Sequence, residues 1–126
     1  MRNQKGFILP SIMVIALLCI LIVAHISSLL ITEKTFYSET EQYYLLENLM
    51  SIAVKKSLQE LKNGEIVENQ NNIFYTSNGY FTYTVSTNDY MIYEVQLACN
   101  TNENKKYTAS YQYDTAKNEM IFWSEY

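Results

Sequence analysis

Hydrophobic and polar positions fall into three regimes along this chain of 126 residues. The first runs from Phe7 to Ala24 without a single charge and continues through His25-Ile26-Ser27-Ser28 into Leu29-Leu30-Ile31. It is about as long as the roughly 18–20 residues a membrane-spanning helix needs. A secretory signal would show a shorter apolar core followed by a small-x-small cleavage site, and neither is present, so this helix is expected to stay in the mature protein. Pro10 fits its first turn, where the N–H that proline lacks has no intrahelical partner.

The second regime, from Thr32 to about Asn63, is helical. Phe36, Tyr43, Leu46, Leu49, Met50, Ala53 and Leu61 recur near every third or fourth position, with Glu39, Gln42, Asn48, Lys55, Lys56, Gln59 and Lys62 between them. Asn63-Gly64 supplies a stop, because glycine accepts the left-handed conformation that commonly ends a helix, and Lys62 suits the negative end of the dipole. No proline or glycine intervenes between Ser11 and Asn63, so the two regimes are expected to form one nearly continuous helix.

After Gly64 the period drops to two. Runs rich in β-branched and aromatic residues, Ile73–Thr76, Tyr80–Ser86, Tyr90–Cys99, Tyr107–Tyr113 and Met120–Trp123, alternate with turn-forming clusters at 77–79, 88–89, 100–104 and 115–118. Each of the three longest runs has an apolar face: Phe81, Tyr83 and Val85; Met91, Tyr93, Val95, Leu97 and Cys99; Tyr107, Ala109, Tyr111 and Tyr113. An antiparallel sheet that lays this face on the helix at Leu46–Leu61 buries both stripes at once, which makes the expected fold class α+β. Glu65–Asn72 reads as a disordered linker, and no repeat points to a solenoid.

Charge orients the chain. Arg2 and Lys5 precede the apolar run while Glu33, Glu39 and Glu41 follow it, so the N-terminus is expected in the cytoplasm and everything after about Thr32 outside, as a single-pass protein of the cell membrane. About 95 residues then lie beyond the leader and apolar helix, enough for one small exported domain. The net charge of −4, with no basic patch, argues against direct nucleic-acid binding. Cys19 and Cys99 fall on opposite sides of the membrane boundary and read as free thiols, Cys99 as a small buried hydrophobe.

Catalytic chemistry finds little support. The only histidine, His25, sits at the membrane boundary, which removes any exported His-based triad or metal cluster. Nucleophile-elbow, P-loop and dinucleotide fingerprints are missing, so the chain reads as a non-enzyme without cofactor or metal. Most of the twelve tyrosines suit the core, because tyrosine combines strand propensity with a hydroxyl that reaches solvent. Tyr80, Tyr90, Trp123 and Tyr126 are candidates for an exposed contact patch.

Lys5-Gly6-Phe7 followed by Ile8-Leu9-Pro10 resembles the type III signal of type IV pilins and pseudopilins. The short leader, the Gly-Phe-Ile-x-Pro opening, the small size and the Tyr-rich tail are most similar to the ComGG-type minor pseudopilins of Gram-positive competence systems. The resemblance implies that a prepilin peptidase cuts after Gly6 and methylates the new N-terminal Phe7. It implies a leader over residues 1–6, an assembly helix over 7–31, an amphipathic continuation over 32–64 and a sheet region over 65–126 that forms one exported domain with 32–64. Where most pilins carry a glutamate five residues into the mature chain, this sequence has Ser11. Members lacking that carboxylate are typically tip subunits, and omitting it spares a subunit with no partner below it the cost of a charge in hydrocarbon. Some tip pseudopilins bind calcium, and Asn100–Asn104 spaces oxygen ligands alternately, although an Asx-rich turn explains the same residues without metal. The implied function is to initiate or cap a competence pseudopilus for DNA uptake, with other major and minor pseudopilins as partners. A type II secretion pseudopilin, or a membrane-anchored extracellular binding protein, are the alternatives.

Overall fold

The computed structural model describes residues 5–89 and 91–126, with side chains from Ile8 onward. A single helix, α1 (Lys5–Asn63), is followed by five strands: β1 (Asn72–Thr76), β2 (Gly79–Asp89), β3 (Ile92–Thr101), β4 (Lys106–Asp114) and β5 (Glu119–Glu125). The chain divides into two compact units, one ending at Thr40 and the other spanning Glu41–Tyr126.

In the first unit α1 is long and apolar enough to cross a membrane, and the apolar side chains of Ile8–Ile31 are exposed. Polar groups on it are satisfied locally. Ser27 Oγ donates to the Val23 carbonyl at 2.8 Å and Thr32 Oγ1 to the Ser28 carbonyl at 2.9 Å, which is how a helix shields hydroxyls where water is scarce.

In the second unit α1 ends as its sequence dictates. Gly64 takes φ +70°, its N–H donates to the Leu61 carbonyl at 3.3 Å, and the Glu65 N–H reaches back to the Glu60 carbonyl at 3.2 Å. These are the two bonds of a Schellman motif, which satisfy carbonyls that would otherwise be orphaned.

The strands form one antiparallel sheet in the order β1-β2-β3-β4-β5, each paired with its chain neighbours. Leu49, Met50, Ala53 and Ser57 of α1 are buried, falling on one face of the helix, with Leu46, Val54, Leu58 and Leu61 half-buried around them. Against them lie Phe81, Tyr83 and Val85 of β2, Val95, Leu97 and Cys99 of β3, and Ala109, Tyr111 and Tyr113 of β4. Fully burying a large apolar side chain contributes about 1.5–3 kcal/mol, so this layer of helix on sheet is the main source of the unit's stability. The α+β architecture expected from the two periodicities is the one observed.

Three details correct the sequence reading. Phe36 and Tyr43, assigned to the packing stripe, are 66% and 62% exposed, so the apolar packing on the helix starts only at Leu46. Met91 does not join the inner face of β3. β2 runs on through Asn88-Asp89 and β3 begins only at Ile92, leaving Met91 in the turn and exposed. Glu65–Asn72 is not a free linker: Ile66 packs on the core, the Asn69 N–H donates to the Val85 carbonyl at 3.0 Å, and Asn71 Oδ1 accepts from Thr84 Oγ1 at 2.9 Å.

Candidate functional site

Two regions carry the residues singled out in the sequence. At the N-terminus, Lys5, Gly6 and Phe7 form the opening of α1, while Arg2 lies outside the described residues. Pro10 is inside the helix, and Ser11 follows on its exposed surface. Along this segment the exposed side chains are almost all apolar, a surface suited to lipid or to other helices.

The second region is the sheet and the helix that covers it. Tyr80 is 36% exposed, and its hydroxyl accepts a hydrogen bond from Asn100 Nδ2 at 2.8 Å. Tyr75 on β1 tilts against it at 5.8 Å between ring centroids. Trp123 is 37% exposed and Tyr126 is exposed, whereas Tyr90 lies outside the described residues. The candidate contact residues therefore do not form one patch: Tyr80 lies beside β1 and Trp123 on β5, at opposite edges of the sheet.

Trp123 borders a groove. This groove of about 400 Å³ between α1 and the β4–β5 side of the sheet is floored by Leu46, Met50 and Val54 and bordered by Tyr43, Glu47, Tyr107, Trp123 and Glu125, with Ser51 and Lys55 completing it. The register that pairs Tyr111 with Trp123 and Ala109 with Glu125 places both β5 residues on the helix-facing side. The Trp123 indole lies nearly parallel to the buried Tyr111 ring, 6.4 Å between centroids. A bulge at Gln112/Tyr113 shifts the pairing so that Met120, not Ile121, sits opposite Tyr113.

Glu125 organises the rim. Its carboxylate accepts from Trp123 Nε1 at 2.9 Å and from the Tyr107 hydroxyl, and these two bonds, Tyr107 first, hold its pKa below the usual glutamate value. Tyr107 is pushed up to about 12, by burial first, then by its bond to Glu125 and the negative charges around it, among them Glu47. Glu125 thus bonds this phenol directly, while Glu47 acts on it through its charge alone. Sequence reasoning named only Trp123 of this set for contact. The helical spacing of Tyr43 and Glu47, one turn apart, was the available signal, but which strand edge would face that turn depends on tertiary packing.

Asn100 and Thr101 are buried, whereas Asn102, Glu103 and Asn104 are exposed. Thr101 is buried and exchanges bonds with Lys105, whose carbonyl accepts from the Thr101 N–H at 2.9 Å and whose N–H donates to Thr101 Oγ1 at 3.2 Å. Asn104 takes the left-handed conformation, φ 62°. Among the described residues no group of three or more His, Cys, Asp or Glu side chains is arranged to hold a metal ion. Cys19 is exposed and Cys99 buried, both as free thiols.

Comparison with known proteins converges on one family. The family model described as ComG operon protein 7 matches residues 30–125. A curated relative, Competence protein ComGG of Bacillus subtilis (strain 168), is 25% identical over 126 residues, covering 99% of this chain and 100% of the relative. No solved structure matches the chain.

Proposed function

This chain belongs to the ComGG family, and from that membership we propose that it is a minor pseudopilin that helps initiate or cap a competence pseudopilus for DNA uptake. The observation that carries the reading is the full-length likeness to a competence protein in a chain whose apolar helix opens on Lys5-Gly6-Phe7. The same likeness favours a competence machine over a secretion machine. The role is structural, and the chain serves as a subunit, not a catalyst.

In this reading the chain enters the cell membrane once, N-terminus in the cytoplasm, held by Arg2 and Lys5. Prepilin peptidase cuts after Gly6 and methylates Phe7. Glycine suits the cut position because it lets an extended backbone approach a protease closely. Assembly then exchanges lipid around Phe7–Ile31 for the helices of other pseudopilins, an exchange driven by packing because lipid is as apolar as the helix. The sheet unit stays outside and selects partners.

Mass spectrometry of the membrane-extracted protein, with and without prepilin peptidase, tests this. The expected result is a peptidase-dependent N-methylated Phe7, abolished by Gly6→Val, together with loss of transformation when the chain is deleted. An intact leader in cells with active peptidase would leave a permanently anchored protein and overturn the assignment.

A further inference from the structure

We propose that the groove between α1 and β5 is a docking site for a lysine or arginine side chain presented by the exported domain of a neighbouring pseudopilin. The partner's identity rests on the pseudopilin reading above; the chemistry of the groove does not.

Three features of one cavity select such a side chain. Leu46, Met50 and Val54 form an apolar floor that can cover the methylene stem of a long cationic residue. Tyr43, Tyr107 and Trp123 border it with aromatic rings, which attract a cation over their faces. Glu47 and Glu125 supply two carboxylates on the same rim, and neither forms an ion pair among the described residues. Lys55 also lines the groove but is bridged to neither carboxylate. A neutral ligand would leave both carboxylates without a counter-charge, and an anion would meet them head on. At about 400 Å³ the cavity is within the range of ordinary ligand sites and holds one long side chain with part of the segment bearing it. Charge points the same way, since a chain of net charge −4 is complemented by a basic partner surface.

The groove is tested first by itself, on the full-length protein in detergent micelles. Trp123 is the single tryptophan, so its fluorescence reports on the rim directly. Nα-acetyl-lysine amide should produce a saturable change that weakens with salt, and its Nε-acetylated, uncharged counterpart should bind about tenfold more weakly or not at all. Glu47→Gln, an exposed helix position, should weaken the charged probe without disturbing the fold, and Glu47→Gln with Glu125→Gln should remove most of the remaining affinity. Equal response to both probes overturns the proposal.

The partner is tested in cells with a photoreactive residue at Ser51, in the groove, and separately at Leu17, in the apolar helix. A Ser51 adduct mapped to a Lys- or Arg-bearing segment of another pseudopilin, reduced about tenfold by the double Gln variant while the Leu17 adduct persists, is the supporting result. A Ser51 adduct to lipid, to a second copy of this chain, or to a pseudopilin regardless of the carboxylates overturns it while leaving the pseudopilin assignment intact. Loss of the Leu17 adduct in the unmodified chain removes the assignment instead, and the groove is then decided by the titration.

Discussion

Ser57 Oγ lies 2.6 Å from the Tyr111 hydroxyl, in the core between α1 and β4, where both side chains are fully buried. Ser57 also donates to the Val54 carbonyl at 3.0 Å, which uses its one proton, so Tyr111 is the donor across the interface. The pair fixes the rotation of the helix against the sheet with a directional bond in an otherwise apolar layer. Ser57→Ala strands a buried phenol and should cost about 1–3 kcal/mol, whereas Tyr111→Phe leaves Ser57 still bonded to Val54 and should cost about 1 kcal/mol. The double variant should lose less than the two singles added, as measured by urea denaturation followed through Trp123. Strict additivity would mean that the contact is not a stabilising bond.

Tyr83 makes the opposite case. It is as deeply buried as Tyr111, stacked on Phe74 at 5.7 Å, but its hydroxyl has no hydrogen-bond partner among the described residues. Removing an unsatisfied buried hydroxyl while keeping the ring should be neutral or stabilising by up to about 1 kcal/mol. Urea denaturation of Tyr83→Phe beside Tyr111→Phe therefore separates the two phenols. A loss at Tyr83 equal to that at Tyr111 would refute the distinction.

Burial also sets how the unit responds to alkali. The Cys99 thiol is pushed from its ordinary 9.0 up to about 11 by desolvation, and Tyr111 from 10.0 up to about 12, again chiefly by burial and against the small opposing effect of Ser57. In both cases the folded state holds its proton to higher pH than the unfolded state does. Stability from these groups is thus fully present below about pH 9 and is lost as pH rises toward 12. Cys99 alone accounts for roughly 2–3 kcal/mol across that window. Stability measured from pH 7 to 11 should fall from about pH 9 upward, and Cys99→Ala should flatten the decline even if it starts lower. A wild-type profile level to pH 11 contradicts this.

Glycine substitutions should divide sharply. At Gly79 the backbone sits at φ +153°, and an added Cβ would lie 2.1 Å from the Asn100 carbonyl oxygen, a backbone atom of the paired strand. At Gly64, φ is +70° and nothing lies within 4 Å. Gly79→Ala should therefore cost about 2–4 kcal/mol, because strand must move from strand, while Gly64→Ala bears only the left-handed penalty of about 1–2 kcal/mol. Ranking the two by urea midpoint decides it, and equal losses would mean that the β2–β3 pairing beside Gly79 relaxes freely.

Much of this was legible in the residues. A change of period from 3.6 to 2 at Gly64 announced helix then sheet, and the alternation of Phe81, Tyr83 and Val85 gave the inner face of β2 directly. The errors fell where local pattern stops deciding. Met91 continues the alternation of β3 but belongs to the turn, because the hairpin closes by pairing Asp89 with Ile92. Phe36 and Tyr43 keep the helical spacing but stay exposed, so periodicity alone could not say where burial ends. The groove was hidden for a related reason: Tyr43 and Glu47 are adjacent on a helix turn, but Tyr107 and Glu125 meet them only through the β4–β5 register.

Ser11 offers the sharpest test of where the subunit sits in the proposed fibre. With the proposed cut after Gly6 it falls five residues into the mature chain, where most pilins carry a glutamate thought to pair with the free amine of a neighbouring subunit. A carboxylate placed in hydrocarbon without that partner costs a few kcal/mol, so a subunit at the start of the fibre gains by lacking it, whereas one within the shaft loses a pairing. Ser11→Glu should therefore lower incorporation into sheared pseudopilus fractions by at least about tenfold, the effect of only about 1.4 kcal/mol of that penalty, while leaving the proposed cleavage after Gly6 unchanged. Ser11→Ala, which adds no charge, should be incorporated normally. Quantitative blotting of both variants against the processed membrane pool checks this. Incorporation of Ser11→Glu at the wild-type level would remove the argument for a tip position and move the subunit to the shaft.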